Sequence, residues 1–106
     1  MKEIDIQNTI RLALTDIAIT FRANVGLFFT RDGRPVSTGL PKGFSDLFGF
    51  RKSDGRIFFL EIKTDKGRLS ENQKNFLAAM KNQGAITGVA RSPEEAIRIV
   101  REEGSA

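Results

Sequence analysis

The sequence predicts an α/β fold in which a mixed central sheet is flanked by helices. An amphipathic helical pattern opens the chain, and two helix-start signals lie in its second half. Between these, Ile57-Phe58-Phe59-Leu60 is apolar on both strand faces, as expected of a central strand covered on both sides. The 106 residues suffice for one hydrophobic core, so we expect a single domain over residues 1–106.

The first half of the chain is predicted to contain a helix, a strand and a loop. Apolar residues recur every three or four positions over residues 4–18, which indicates an amphipathic helix. β-branched and aromatic residues dominate residues 19–30 and predict a strand, with Gly26 marking a bulge or a close backbone approach. Residues 31–43 are rich in Gly and Pro, which favours a long irregular loop.

A hairpin and a helix are predicted next. Strands over residues 44–51 and 56–64 are joined by Lys52-Ser53-Asp54-Gly55, a turn signal. The sequence Ser70-Glu71-Asn72-Gln73 is typical of a capping box and begins a helix that runs to about Gln83.

A strand and a final helix complete the prediction. Gly84 stops the second helix, and residues 86–90 form a short strand. Ser92-Pro93 then begins a helix that ends near Gly104, because Ser is a favoured cap and Pro suits the first turn. The predicted order is therefore α-β-β-β-α-β-α.

The composition excludes several classes of catalytic site. The chain has 0 His, 0 Cys and 0 Tyr, which rules out Ser-His-Asp triads, zinc fingers, thiol nucleophiles and tyrosine nucleophiles. Catalysis would therefore use Asp, Glu, Lys, Ser or Thr together with a metal ion. The 17 Lys and Arg residues against 13 Asp and Glu give a net charge of +4, which is compatible with a nucleic-acid partner.

The sequence predicts no membrane partner. The N-terminal residues lack the apolar core of a signal peptide, and the apolar runs are too short to span a bilayer. We therefore expect a cytoplasmic protein.

Three charged residues lie within or beside apolar strands. Glu61 and Lys63 flank Ile62, and they share a face because strand side chains alternate. A four-residue hairpin loop would set Asp46 opposite Glu61, and a two-residue loop would set it opposite Lys63. Either register gathers the three charges, whereas a three-residue loop would turn Asp46 to the other face.

This cluster is suited to phosphodiester hydrolysis. Two neighbouring carboxylates repel each other, and a divalent cation such as Mg²⁺ relieves that repulsion while keeping waters for a phosphate substrate. Lys63 would position the attacking water or offset phosphate charge. The alternative is structural: Lys63 neutralises Glu61 at a strand end, and Asp46 begins a turn.

Motifs along nearly the whole chain occur in a characteristic order. They are Gly43-Phe44-Ser45-Asp46-Leu47, Phe59-Leu60-Glu61-Ile62-Lys63 and Leu69-Ser70-Glu71-Asn72-Gln73, preceded by Glu3 and Gln7 and followed by residues 84–90. This order resembles the VRR-NUC nucleases, a branch of the PD-(D/E)XK superfamily, and implies a restriction-endonuclease-like fold. Ser45 departs from the pattern, since the family usually has Pro there.

The resemblance implies a metal site and a catalytic lysine. Asp46, Glu61 and the backbone carbonyl of Ile62 would bind Mg²⁺ or Mn²⁺, and Lys63 would be the catalytic lysine. Stand-alone members of the family of this size occur in viruses, phages and prophages. The resemblance therefore implies that the protein acts in the cytoplasm of a bacterial or phage-infected cell.

Three further residues have two readings each. By resemblance, Glu3 supplies a carboxylate to the metal through water, and Gln73 orients the catalytic site from the following helix. Glu3 would equally favour the helix dipole, and Gln73 would equally complete a capping box. Gln7 matches the family's helix start or is a solvated helix residue.

The predicted function is metal-dependent DNA endonuclease activity. The resemblance extends to homodimers that act on branched DNA such as four-way (Holliday) junctions, and either Phe28 or Phe29 would be exposed at the subunit interface. The candidate DNA contacts are Arg31, Arg34, Lys42, Lys66 and Arg68, which are otherwise ordinary solvated surface. The alternatives are a catalytically silent nucleic-acid-binding domain of the same fold and a non-specific or flap-type nuclease.

Overall fold

The computed structural model describes residues 2–24 and 27–103. Within them the helices are α1 (Glu3–Ala13), α2 (Glu71–Asn82) and α3 (Pro93–Arg101), and the strands are β1 (Ala18–Arg22), β2 (Leu27–Phe29), β3 (Pro35–Ser37), β4 (Leu47–Arg51), β5 (Ile57–Ile62) and β6 (Ile86–Ala90). The main sheet has the order β1-β4-β5-β6, and only its β5–β6 pair is parallel. The predicted mixed sheet with flanking helices is confirmed.

The central strand β5 separates two apolar layers. Phe58, Leu60 and Ile62 pack on the side covered by α1 and α3. Phe59 lies on the other side, against Leu77 of α2. Because both faces of β5 are covered, its apolar residues need no alternation with polar ones, as the sequence predicts. Glu61 is the exception, since it is buried on the α2 side of the strand.

A four-residue loop joins β4 to β5. The Arg51 N–H donates to the carbonyl of Arg56 at 2.9 Å and closes the loop. The Asp54 carboxylate accepts from the Arg51 side chain at 3.0 Å and from the Arg56 N–H at 3.1 Å. The hydrogen bond from Arg51 lowers the pKa of Asp54 to about 2. Two hairpin registers are compatible with a cluster of Asp46, Glu61 and Lys63. The structure has the register of the four-residue loop, and not that of the two-residue loop.

The prediction of one strand over residues 19–30 is wrong. β1 ends at Arg22, just before the Ala23 N–H donates to the carbonyl of Asp46 at 2.9 Å. Its partner β4 begins at Leu47, so the pairing of β1 with β4 ends at Arg22. β2 instead pairs with β3 in a separate hairpin. The predicted bulge at Gly26 lies outside the described residues.

Other boundaries also differ from the prediction. The first helix ends at Ala13 rather than at 18, because Ala18 already pairs with Arg51 in the sheet. β3 lies within the predicted irregular loop over residues 31–43. α3 ends at Arg101, where Glu102 adopts a left-handed conformation with φ 58°, and Gly104 lies outside the described residues.

The capping box predicted for α2 is confirmed, and Gly84 follows the helix with φ 93°. None of the helices in the described part of the chain combines the length and apolar character that a membrane crossing requires.

Two leucines near the end of α1 provide a matched test of the core. Leu14 is fully buried at 0% exposure, whereas Leu12 is 78% exposed. We predict that Leu14→Ala lowers the free energy of unfolding by about 2–5 kcal/mol, because it leaves a cavity under the sheet. Leu12→Ala should change it by less than about 0.5 kcal/mol. Urea unfolding followed by circular dichroism measures both, and equal losses would contradict this packing.

Candidate active site

The pairing of β4 with β5 brings two acidic residues together. Leu47 lies opposite Leu60 in the last pair of these strands, and continuing the same register by one residue sets Asp46 opposite Glu61. Opposed residues on antiparallel strands share a face, so both carboxylates point toward the α2 side of the sheet. The Ile62 N–H donates to Asp46 Oδ2 at 2.8 Å and holds that carboxylate across the strand end.

Glu61 is almost completely buried, with 1% of its surface exposed. Its Oε1 accepts a hydrogen bond from Gln73 Nε2 at 3.0 Å. Its Oε2 is buried and has no hydrogen-bond donor among the described residues. A buried carboxylate oxygen without a donor is costly, and such groups are typical of sites that bind an ion or an ordered water.

The surroundings of Glu61 favour its protonated form. Burial raises its pKa to about 9, assisted by the neighbouring Asp46 carboxylate and by the negative charge of Glu3. The positive charge of Lys63 acts in the opposite direction and lowers the pKa. The other two residues of the predicted cluster, Asp46 and Lys63, together with Glu3, therefore affect the Glu61 carboxyl group.

Gln73 completes the predicted capping box and also contacts Glu61. Its Oε1 accepts from the Ser70 N–H at 2.9 Å, while its own N–H donates to Ser70 Oγ at 3.2 Å. Because the capping box occupies Oε1, the amide Nε2 is left facing Glu61. The cap of α2 therefore determines that the Gln73 side chain donates to the Glu61 carboxylate through Nε2.

Lys63 follows directly after β5 and is half-buried. Its N–H donates to the carbonyl of Ala90 at 3.2 Å, which continues the parallel pairing with β6 by one residue. The strand alternation that sets Glu61 on the α2 side therefore extends to Lys63.

A cleft of about 610 Å³ opens beside Asp46. Gln7 of α1, Lys42 and Gln73 of α2 line it together with Asp46, so elements distant in sequence meet there. Gln7 is buried rather than solvated, and its Oε1 is a second buried acceptor without a donor among the described residues. The interpretation of Gln7 as a solvated helix residue is therefore wrong.

Sequence reasoning missed several polar residues of the cleft. Arg22 and Asn24 line it at the end of β1, and Asn72 lines it from the first turn of α2. Phe28 of the hairpin also lines it. Arg22 reaches this position because β1 pairs with β4. This pairing joins residues far apart in the chain, and no motif in the sequence predicts it.

The five predicted DNA contacts lie in three places. Lys42 lines the cleft, whereas Arg31 and Arg34 are exposed at the turn of the β2–β3 hairpin. Arg34 pairs with Asp32 at 3.0 Å, an exposed contact that water readily replaces. The other two, Lys66 and Arg68, are exposed in the segment that follows the Glu-x-Lys strand.

The oxygen atoms of the site suit a hard divalent cation. Two carboxylates and the buried Oε1 of Gln7 offer only oxygen ligands, the type that Mg²⁺ and Mn²⁺ prefer. Over residues 2–24 and 27–103 no cluster of three or more His, Cys, Asp or Glu is close enough to hold an ion. Asp46 and Glu61 would therefore need water or backbone oxygens to complete the coordination.

Local packing holds the segment before β4 in place. A Cβ on Gly43, which has φ 89°, would overlap the backbone carbonyl of Asn72, so this loop lies directly against the first turn of α2. Ser45 is buried, and its hydroxyl donates to the carbonyl of Leu47 at 2.9 Å. This hydrogen bond spans Asp46 and gives Ser45 a structural role where the family pattern has Pro.

We predict that the buried Glu61 makes stability fall with rising pH in the absence of metal. Its folded-state pKa of about 9 lies above the ordinary value of 4.5, so the folded protein keeps a proton that the unfolded chain releases between these values. The contribution is at most about 1.4 kcal/mol per pH unit.

Glu61→Gln removes this titration while preserving the shape of the side chain. In the presence of a chelator, the melting temperature of native protein should fall relative to that of Glu61→Gln as the pH rises from 4.5 to about 9. The accumulated difference between the two proteins should be largest near pH 9. Thermal unfolding followed by circular dichroism measures the difference, and parallel curves for the two proteins would refute it.

Comparison with known proteins identifies the fold and the family. The family model of the VRR-NUC domain matches residues 32–94, which is more than half of the chain. A solved structure described as a VRR_NUC domain aligns with a TM-score of 0.66 at 17% identity, over 95% of this chain and 96% of that chain, and so shares the fold. No curated protein matches the sequence. The chain therefore belongs to the VRR-NUC domain family, a family of nuclease domains.

Proposed function

We propose that the protein is a metal-dependent endonuclease that hydrolyses phosphodiester bonds in branched DNA such as four-way junctions. Membership of a nuclease family supports hydrolysis of nucleic acid. The observation that carries the proposal is the Asp46–Glu61 pair, in which Asp46 is half-buried and the buried Oε2 of Glu61 has no donor among the described residues.

We assign the metal ligands to Asp46, Glu61 and the backbone carbonyl of Ile62, with Glu3 contributing through water. The effect of the Glu3 charge on Glu61 supports its inclusion. A divalent ion at this position supplies Lewis-acid chemistry to a phosphate and to a water molecule. Glu61 must lose its proton before it can act as a ligand, so ion affinity should rise with pH.

The remaining catalytic roles follow from the contacts of the side chains. The Lys63 ammonium, on the same face as Glu61, donates to a phosphate oxygen or holds the attacking water. The Gln73 amide keeps the Glu61 carboxylate in one orientation through the 3.0 Å hydrogen bond. The Ile62 N–H does the same for Asp46. Such fixed geometry contributes to the rate because little reorganisation is needed during the reaction.

The DNA backbone is proposed to lie along the cleft. Lys42 and Arg22 line the cleft together with Asp46, which supports contacts between them and backbone phosphates near the scissile bond. Arg31 and Arg34 on the hairpin, with Lys66 and Arg68 beyond Lys63, would extend this basic surface.

We propose that the nuclease domain extends over residues 1–106. The family model begins at residue 32, yet Gln7 of α1 lines the cleft that contains Asp46. Helix α1 also contributes Ile6 and Ile10 to the core beneath β5. The catalytic site would thus be incomplete without the N-terminal helix.

A homodimer is proposed to form through the outer edge of the sheet. β1 is an edge strand, and an exposed apolar patch lies there, formed by Ile19 and Phe21 of β1 with Phe50 of β4. Unpaired edge strands with apolar side chains readily pair with a second chain. Both Phe28 and Phe29 are exposed, because the hairpin lies outside the main sheet, and either supports a contact between subunits.

The activity test uses labelled four-way junction, flap, linear duplex and single-stranded DNA with Mg²⁺ or Mn²⁺. We expect paired nicks near the branch point of the junction and no cutting after chelation. Asp46→Ala and Lys63→Ala should each lower kcat by at least about 100-fold, since each removes a group that acts on the reacting phosphate. Asp16→Ala, at an exposed residue before β1, is the matched control and should leave kcat unchanged.

Other results would revise the proposal in defined ways. Equal cutting of all four DNAs would retain the nuclease and reject the junction preference. DNA binding without cutting would indicate a catalytically silent binding domain. Melting temperature adds an independent readout, since divalent metal should raise it for native protein and leave Asp46→Ala unaffected.

The dimer is tested by sedimentation velocity. Ile19 is 52% exposed on β1, and Ile19→Lys should convert the dimer to a monomer by placing a charge in the apolar patch. Leu12→Lys is the control, because Leu12 is also exposed but lies on α1. A native protein that is monomeric at micromolar concentration would exclude this assembly.

A further inference from the structure

Arg91 binds the turn that follows the predicted catalytic lysine. It comes directly after β6 and is half-buried. Its Nη1 donates to the carbonyl of Gly67 at 2.8 Å and also to the carbonyl of Thr64. The Gly67 N–H in turn donates to the Thr64 carbonyl at 3.1 Å. One guanidinium nitrogen therefore joins the two ends of the 64–67 turn.

The same turn lies against the side chain of Lys63. A Cβ on Gly67 would be 3.2 Å from Lys63 Cδ and 3.3 Å from Lys63 Cβ, which is tighter than an ordinary contact. Gly67 therefore lies beside the aliphatic stem of the lysine, with too little space between them for a side chain unless the stem shifts by a few tenths of an ångström. Anything that moves the turn would release this stem.

We propose that Arg91 is a positioning residue for Lys63. Arg91 holds the 64–67 turn, and Gly67 in that turn holds the lysine stem, so that the ammonium stays on the side of Asp46 and Glu61. The inference rests on the proposed function, because it takes Lys63 as the catalytic lysine.

The physical need for such support is the flexibility of lysine. Four rotatable bonds give the side chain a large conformational entropy, much of which is lost when the ammonium meets a substrate. Ordering the stem in advance lowers that loss at the moment of reaction. Arginine suits the task because its guanidinium presents several donors in a fixed plane, and the turn offers two carbonyl acceptors.

An alternative role for Arg91, direct contact with DNA, would affect the kinetic constants differently. Arg91 and Lys66 both line an open pocket of about 620 Å³ beside the start of α3, so Arg91 could contact a DNA phosphate instead. A phosphate contact made equally in the ground and transition states would affect KM, whereas misplacement of Lys63 would affect kcat.

The kinetic test compares Arg91→Leu, Arg91→Lys and Gly67→Ala with native protein on the DNA that native protein cuts fastest. Arg91→Leu should lower kcat about tenfold or more, with KM changed by less than about twofold. Arg91→Lys should recover much of kcat, since an ammonium retains donors for the two carbonyls. Gly67→Ala should also lower kcat, because its methyl group displaces the lysine stem while the turn remains bonded to Arg91.

Arg98→Leu is the matched control. Arg98 is exposed on α3, and its replacement changes the net charge by the same amount, so kcat should stay at the native value. A raised KM with unchanged kcat in Arg91→Leu would overturn the proposal in favour of a phosphate contact. Unchanged kcat in Gly67→Ala would overturn the link between the turn and Lys63, even if Arg91→Leu failed to fold.

Limited trypsin digestion tests the turn without any nuclease activity. Lys66 and Arg68 provide cleavage sites within and just after the turn. Folded Arg91→Leu should be cut there about tenfold faster than native protein, while Arg91→Lys and Arg98→Leu are cut at rates close to native. Equal rates for Arg91→Leu and native protein would show that Arg91 does not hold the turn. If native protein cuts no DNA, the proposed function fails, and this digestion still decides whether the turn depends on Arg91.

Discussion

The pairing of β4 with β5 determines both the core and the candidate site. The loop closed by Arg51 and Arg56 sets this register, which buries Leu47 in the layer under α1 and α3. The same register sets Asp46 opposite Glu61. A slip of one residue would turn every side chain of β4 to the opposite face, so it would expose Leu47 and separate the two acids together. Stable packing and the geometry of the proposed catalytic site therefore depend on the same pairing.

Glu61 is the clearest conflict between stability and function in the molecule. Its burial beside Asp46 raises its pKa to about 9 and leaves one oxygen without a donor among the described residues. An uncharged isostere would satisfy the fold better, yet it would lack the negative charge that favours binding of the proposed divalent cation. The protein limits the cost through Gln73, whose amide is already oriented by the cap of α2. The hydrogen bonds of Gln73 thus both cap α2 and orient the Glu61 side chain.

Elements outside the centre of the sheet contribute the other residues that line the cleft beside Asp46. α1 contributes Gln7, the end of β1 contributes Arg22, and the loop before β4 contributes Lys42. Close contact between Gly43 and Asn72 brings that loop onto α2. On the far side, the turn after Lys63 is bonded to Arg91, at the end of the parallel strand. The lysine and the two acids are consequently held by different parts of the chain.

The sequence by itself determined the mixed α/β architecture, the cap of α2 and the identity of the acidic and basic residues. These features depend on side-chain periodicity and short-range hydrogen bonds, which local sequence records. Only the tertiary structure decided that residues 19–30 divide between two sheets, that the hairpin has its four-residue register, and that Gln7 and Arg22 reach the cleft. It also decided the burial of Glu61 and the contact of Arg91 with the 64–67 turn. Each of these depends on contacts between residues far apart in the chain, and no local pattern specifies such contacts.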